Sequence, residues 1–550
     1  MRFIPSITTV APLSAKNVAS HSASENNLSV KMHTRPASIT VTLTLVLMLV
    51  IALQLVTLEH AYQSAGKTLA LQSFDKTLES AISSFYSPLY TEYGLLALPV
   101  GTGFDYRDSR QVEAAIRSRF NGMYEAQVNG KSAGLWDFEI NNVAVSKEAY
   151  LTSADGAVFL GQIKDDLLCE GALYLEDALM KLADGGFGSV RELFESEKKD
   201  AVGNSSDEEE WEAADVSARS VWETLKTFLV SGLPGFWFED IAEISTKRLR
   251  GGNLPSRTEF GLDVSNADDD LFAVPSLDKD EIEDGSYYDK LVSSDFFENF
   301  SSAFSQIKDS AGDKFAMIAY SNLHMDNYVK NDYKAGALNY EQEYLIYGTT
   351  SDNVNVRRAS WSIFGIRMSA SLLYLLTSEE RQEELDEWLS KFNVTPKLKA
   401  ALKVLVTMVW AMQNALVETA ALLKGQKVNF TVSDSSLSVR LSEILAMTKE
   451  NIKDRAENYK KGGKAALSYS AYLDIFMFMT DKDRLCYRLM DIIEVNIQKS
   501  YNPSFKLNKS LVGFSCSAGL SFSPKFTGIA MFGGGNGKYE YTLESAVMMR

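Results

Sequence analysis

The sequence predicts an α+β protein: a predominantly helical extracytoplasmic domain with a C-terminal antiparallel β segment, on a single N-terminal transmembrane helix. Three features carry that expectation. Residues Ala37–Leu58 (ASITVTLTLVLMLVIALQLVTL) contain no charged side chain. From about Tyr287 to Ser500 the apolar positions recur at helical spacing. Leu511–Met549 carries short strand-like runs and a glycine cluster.

A helix of about 20 apolar residues crosses the hydrocarbon core of a bilayer. The polar members of the first run (Ser38, Thr40, Thr42, Thr44, Gln54, Thr57) are uncharged, and helical hydroxyls return to backbone carbonyls. The run lacks the polar face of a soluble core helix. It also exceeds a signal-peptide core, and no A-x-A-like site follows it. Arg2, Lys16, Lys31 and Arg35 precede it against one acid, Glu25, and Glu59 follows it. The positive-inside rule then predicts a single-pass protein of the cell membrane, N-terminus cytoplasmic and bulk extracellular. Residues 1–36 are Ser/Asn-rich without periodicity and are expected to form a disordered cytoplasmic tail. Met32 opens MHTRPAS directly before the run, so residues 1–31 read as dispensable.

Residues 59–93 read as a helical stalk. Leu58, Tyr62, Ala65 and Leu69, then Leu71, Phe74, Leu78, Ile82, Phe85 and Leu89, step by three and four, with no proline before Pro88. The membrane helix is therefore expected to continue outward, its apolar stripe packed on another copy or on its own domain. Residues 94–190 read as the first, α+β part of the head. It has a helix over Arg110–Tyr124 and a strand through Trp136, Phe138, Ile140, Val143 and Val145. A turn at Ala154-Asp155-Gly156 and a helix over Gln162–Ala183 follow.

Residues 191–286 form an acidic, loop-rich insertion with runs at Glu195–Asp215 and Asp263–Gly285. Asp278, Asp280 and Gly285 fall short of an EF-type calcium loop, because Ile282 takes the fifth position and the glycine comes late. Residues 287–510 are predicted mainly helical. Ile363–Leu376 and Leu402–Leu423 are apolar enough to suggest further spans, but Lys403, Gln413, Asn414 and Glu418 are expensive in lipid, which favours core helices. Residues 511–550 form the β-rich end, with Gly533–Gly537 as the turn between its last two strands.

A hydrophobic fraction of 45% suits a buried core, and a net charge of −17 argues against nucleic acid as partner. Cys169, Cys486 and Cys516 are odd in number and form no CxxC, so neither a zinc knuckle nor a disulfide framework is supported. Buried free thiols are expected, with one Cys486–Cys516 bridge as the alternative.

Several stretches resemble a known family. SITV before the apolar run, Thr57-Leu58-Glu59 and SFYSPLYTEYGLLAL match its start. Tyr340–Gly348 (YEQEYLIYG) and Ser351-Asp352-Asn353 resemble its YExEYI…G…SD segment. Ile366-Arg367, Trp410, Glu418…Leu423-Lys424-Gly425, Leu467-Ser468-Tyr469…Tyr472-Leu473 and Arg488…Met490-Asp491…Glu494 fit the helices that follow. On these residues the chain is similar to an uncharacterised family of Gram-positive bacterial membrane proteins, domain-of-unknown-function family 5702, over the span and most of residues 59–510. The resemblance implies no established activity. It implies an association with Tad-type pilus or type II-like secretion machinery, as a pseudopilin-like or accessory component. The chain departs from processed pilins, which carry a glycine before the span and a glutamate early within it. Here Ala37 precedes Ser38, Val41 and Thr42 take the early positions, and Glu59 lies at the far end.

No pattern of residues points to catalysis, a cofactor or a metal. His21, His33, His60 and His324 form no HExxH and no metal-ligand spacing. Gly513–Ser517 lacks the final glycine of a nucleophile elbow. Gly533–Lys538 lacks the Ser/Thr of a phosphate loop, since Tyr539 follows the lysine. Glu341, Glu343 and Asp352 could supply the carboxylate pair of a glycosidase, but surface pairing with Arg357, Arg358 or Arg367 explains them better. Arg488, Asp491 and Glu494 are likewise expected to be structural. The expectation is a non-enzymatic envelope protein that contacts the membrane, secretion-system proteins and, through the stalk, itself. An anchored ligand- or polysaccharide-binding module is the alternative.

Overall fold

Helix α1 (Pro36–Ile82) runs unbroken through the apolar run and well beyond it. No proline interrupts it, and the hydroxyls of Thr44 and Thr57 donate to the carbonyls of Val41 and Gln54 within the helix. The computed structural model describes residues 36–127, 135–166, 216–228, 245–249, 253–261, 311–330, 336–460, 466–526 and 537–549. The N-terminal tail, both acidic runs, Cys169, the helix expected beyond residue 166 and most of the glycine-rich turn lie outside these residues. The chain divides into two compact units, Met1–Ser153 with Ser504–Arg550, and Ala154–Pro503.

In the first unit, α2 (Ser87–Tyr93), β1 (Leu98–Pro99), α3 (Ser109–Gln127) and β2 (Glu139–Tyr150) precede β3 (Ser510–Phe522) and β4 (Tyr539–Met548). β3 pairs antiparallel with β2, with β4 and, at its first residues, with β1. A strand from near the C-terminus thus completes a sheet begun by residues 98–150, which linear boundaries along the chain do not express. The inward phase of β2 passes from Ile140 to Val143, an odd step that a regular strand cannot make. Register shifts accommodate it, with Asn142 and Lys147 both at φ 48°. On α3, Val112, Ile116, Phe120 and Tyr124 are buried at a strict spacing of four. They face α1, whose Tyr62, Ala70, Phe74, Leu78 and Ile82 are buried in turn. The apolar stripe beyond the N-terminal apolar run is therefore used inside its own unit.

The second unit is helical. Among the described residues, its α-helices of more than one turn are α4 (Ala157–Asp166), α5 (Val216–Thr227), α6 (Ala311–His324), α7 (Glu341–Tyr347), α8 (Asp352–Thr377) and α9 (Glu379–Leu389), then α10 (Pro396–Leu423), α11 (Lys449–Glu457), α12 (Tyr469–Met479) and α13 (Lys482–Ser500). Local chemistry sets their starts. Ser378, Thr395, Thr448, Ser468 and Asp481 each cap a helix by accepting a backbone N–H, and Pro396 opens α10 where no donor is needed.

Among the described residues, three helices are long and apolar enough to cross a membrane: Ile39–Ile82, α8 and α10. The most apolar windows of α8 and α10 are 78% buried against the rest of the protein, as expected of core helices, whereas that of α1 is 0% buried. Ile39, Leu43, Leu47 and Leu53 stand 58–70% exposed.

Candidate functional site

The polar centre of the second unit is α7, EQEYLIY. All seven of its residues are buried, an arrangement that demands a partner for every polar group. The helix is held at both ends. Its first amides, of Glu341 and Gln342, donate to the carbonyl of Asp326 (2.9 and 3.1 Å). At its C-terminus Arg488 donates to the carbonyls of Leu345 (3.0 Å) and Ile346 (2.5 Å). Gly348 then closes the helix at φ 66°, packed so tightly that a Cβ there would lie 2.5 Å from Arg488 Nη2.

The polar side chains of α7 reach out to several elements. Glu341 accepts from Asn496 on α13 (2.6 Å). Gln342 donates to Asn322 on α6 (2.8 Å) and accepts from Asn327 (2.8 Å), and Asn327 in turn donates to Ser470. Glu343 accepts through Oε1 from the Tyr469 hydroxyl (2.8 Å) and the Tyr328 amide (2.9 Å), while its Oε2 is buried without a hydrogen-bond partner. The Tyr344 hydroxyl donates to Asp491 (2.7 Å), which also accepts the Ser256 amide (2.9 Å). Asn322 donates to Asp474 on α12 (2.9 Å).

Burial sets the protonation of these acids. It lifts Glu343 and Asp474 to about 7 and Asp491 to about 6 against the donors that bind them. Glu343 also feels the charge of Asp352. Asp352 is raised by burial too, although the Ser245 hydroxyl (2.6 Å) and the Asn339 amide (2.9 Å) bind it.

Glu341, Glu343 and Asp352 are thus buried and accept from side-chain amide, hydroxyl and backbone N–H donors, with only Oε2 of Glu343 left over, and their burial corrects the expectation of surface pairing with Arg357, Arg358 or Arg367. Arg367 instead forms a buried ion pair with Glu418 on α10. Nε and Nη2 reach Oε2 at 2.9 and 2.7 Å, and Nη1 donates to the Phe430 carbonyl at 2.6 Å. Both side chains are fully buried. Asp474, Asn322 and Asn327 were not legible as members of this network. The one signal for Asp474 was an acid inside the apolar run Tyr469–Met479.

The remaining candidates lie apart. His60 is exposed beside the apolar run, and His324 packs on the Tyr320 ring. Gly513–Ser517 lies within strand β3, and Lys538 pairs with Glu139 at 2.7 Å. Cys486 and Cys516 are free and buried, so the alternative of a bridge between them is overturned, and burial pushes both thiols to about 12. Among the described residues, no group of three or more His, Cys, Asp and Glu side chains is placed to hold a metal ion.

These features define a mostly helical protein with antiparallel strands near its C-terminus and a polar network closed into its core. The chain belongs to the Family of unknown function (DUF5702), whose model matches residues 211–522, more than half of its length. The match takes in α5 to α13 and strand β3, and leaves α1 to α4 outside it. No curated protein and no solved structure matches the chain.

Proposed function

We propose that the protein is a membrane-anchored structural or accessory component of the cell envelope, acting through protein contacts rather than catalysis. α1 is its single span, with the N-terminus cytoplasmic and both units outside. One observation carries the reading: the same unbroken helix is apolar and exposed from Ile39 to Leu58 and packed into the first unit from Glu59 onward. A helix so divided has a use for its exposed half only in lipid or in another apolar environment. The basic flank of Arg2, Lys16, Lys31 and Arg35 sets the orientation. A pseudopilin-like or accessory place in a Tad or type II-like secretion apparatus follows from the family resemblance and remains part of this proposal.

The test is crosslinking and affinity purification from gently solubilised membranes with a C-terminal tag, combined with protease protection on intact cells. Recovery of a secretion ATPase, a platform protein or pilins, with the C-terminal tag digested from outside, is the expected result. A tag protected from external protease refutes the orientation. Recovery of the protein alone refutes the apparatus role and favours the binding-module alternative.

A further inference from the structure

The transition from exposed to packed helix takes place within one residue. Leu58 is 49% exposed and Glu59 is 3% exposed. Glu59 is the first charged residue after the apolar run. Its carboxylate accepts the amides of Lys525 (3.3 Å) and Phe526 (2.6 Å) and the hydroxyl of Tyr539 (2.9 Å). One turn further, the Tyr62 hydroxyl donates to the carbonyls of Leu135 (3.0 Å) and Ser523 (3.3 Å). The Tyr62 ring stacks on Trp136 at 5.3 Å and meets Phe526 edge-on at 5.9 Å. Gly66 gives Trp136 its place, since a Cβ there would fall 2.5 Å from the indole nitrogen.

The segments around residues 135, 525 and 539 adjoin the N-terminal end of β2, the C-terminal end of β3 and the N-terminal end of β4. The register Glu139↔Ser521 and Phe522↔Tyr539 brings these to one end of the sheet. That end therefore meets α1 in the first turn after the apolar run.

We propose that this end of the first unit is a seat on the bilayer, with Leu135, Trp136, Phe526 and Tyr539 in the headgroup layer around the emerging helix. The inference rests on the anchor reading above. Tyr62 lies about 6 Å along the helix from Leu58, and the headgroup layer on each side is roughly 5–8 Å deep. With no linker between apolar run and packed unit, the segments bonded to Glu59 and Tyr62 share that depth. Their chemistry suits it. Leu135 is 40% exposed, and Trp136, Phe526 and Tyr539 are half-buried, each with an apolar body that aromatic belts place at the interface. The carboxylate of Glu59 is sealed by its three donors. The neighbouring charges are of both signs: Lys525 is exposed, Lys538 pairs with Glu139, and Asp137 accepts from Ser523. The seat is therefore made by aromatic side chains and does not require anionic lipid.

The test uses the full chain in vesicles of phosphatidylcholine, with and without phosphatidylglycerol, containing lipids brominated either near the headgroup or deep in the chain. The expected result is shallow quenching of a tryptophan component that Trp136→Phe lacks, equal in both lipid mixtures. In the Trp136→Phe background, Phe526→Trp restores shallow quenching and Leu47→Trp is quenched by the deep label. Deep quenching at Leu47→Trp with no shallow component from Trp136 or Phe526→Trp overturns the seat and leaves the anchor standing. A shallow component found only with phosphatidylglycerol overturns the aromatic basis of the seat. Absence of deep quenching at Leu47→Trp overturns the anchor, and the seat with it.

Discussion

Asp474 offers a clean view of the buried polar network, because it titrates almost alone. It lies on α12 among apolar neighbours and is held by Asn322 Nδ2 at 2.9 Å, and burial raises it from 3.8 to about 7. The folded chain then keeps a proton that the unfolded chain gives up near pH 4. Stability from this group is full below that value, falls as pH rises through about 7, and is gone above it. Moving a carboxyl that far corresponds to about 4 kcal/mol. Asp474→Asn removes the titration and keeps an oxygen for Asn322 to donate to. Near pH 4 the variant should unfold at a urea concentration close to that of the parent, and the two should diverge steadily from there to about pH 7. At pH 8 it should be the more stable by about 3–4 kcal/mol. Urea denaturation at several pH values between about 4 and 8 measures this through Trp361, Trp388 and Trp410, all in the second unit. Taking the difference between variant and parent at each pH cancels the other acids, including Glu443, which its hydrogen bond from Arg455 holds low and which loses its contribution in acid. A difference that does not change with pH refutes the reasoning.

Three further outcomes follow from individual contacts. Arg367→Met leaves the buried Glu418 carboxylate without its countercharge and should cost about 3–5 kcal/mol, while Arg367→Met with Glu418→Leu should recover most of that loss, as a double-mutant cycle in urea would show. Gly348→Ala forces a side chain into left-handed backbone against Arg488 and should lower stability by about 1–2 kcal/mol, measured by the same denaturation. Glu59→Ala leaves the amides of Lys525 and Phe526 and the Tyr539 hydroxyl without their acceptor. It should loosen the first unit by about 2–3 kcal/mol, visible as faster hydrogen exchange in peptides covering residues 523–526 and 537–541.

Much of the helical organisation was legible because it is periodic. The spacing that predicted a helix over Arg110–Tyr124 matches the buried face Val112, Ile116, Phe120 and Tyr124, and the polar residues within Leu402–Leu423 pointed to a core helix. The continuation of α1 past the apolar run was legible for the same reason. What covers its stripe was not, since the answer lies on α3 and β4, distant in the chain. The bulges of β2 were hidden because Asn142 and Lys147 look like ordinary polar positions. The arginine pairing failed on range: neighbour rules on a helix surface reach three or four residues, whereas Arg367 and Glu418 are 51 positions apart and meet across α8 and α10.

The segment that looks most like chemistry is also the one by which the chain resembles its family, Tyr340–Gly348 with Ser351-Asp352-Asn353. Carboxylates this dense suggest a reacting pair, but catalytic acids need access to a substrate, and these are turned inward. Each is bound by a donor from a different helix or loop: Asn496 on α13, Tyr469 on α12, and Ser245 and Asn339 around Asp352. A short helix with such partners can sit in only one rotation and one register, because any slip would strand a buried carboxylate. An apolar segment in its place would pack in several ways at similar cost. The acids therefore serve geometry. They fix how α6, α8, α12 and α13 meet, and the raised pKa values of Glu343, Asp352 and Asp491 are the consequence of burying that arrangement.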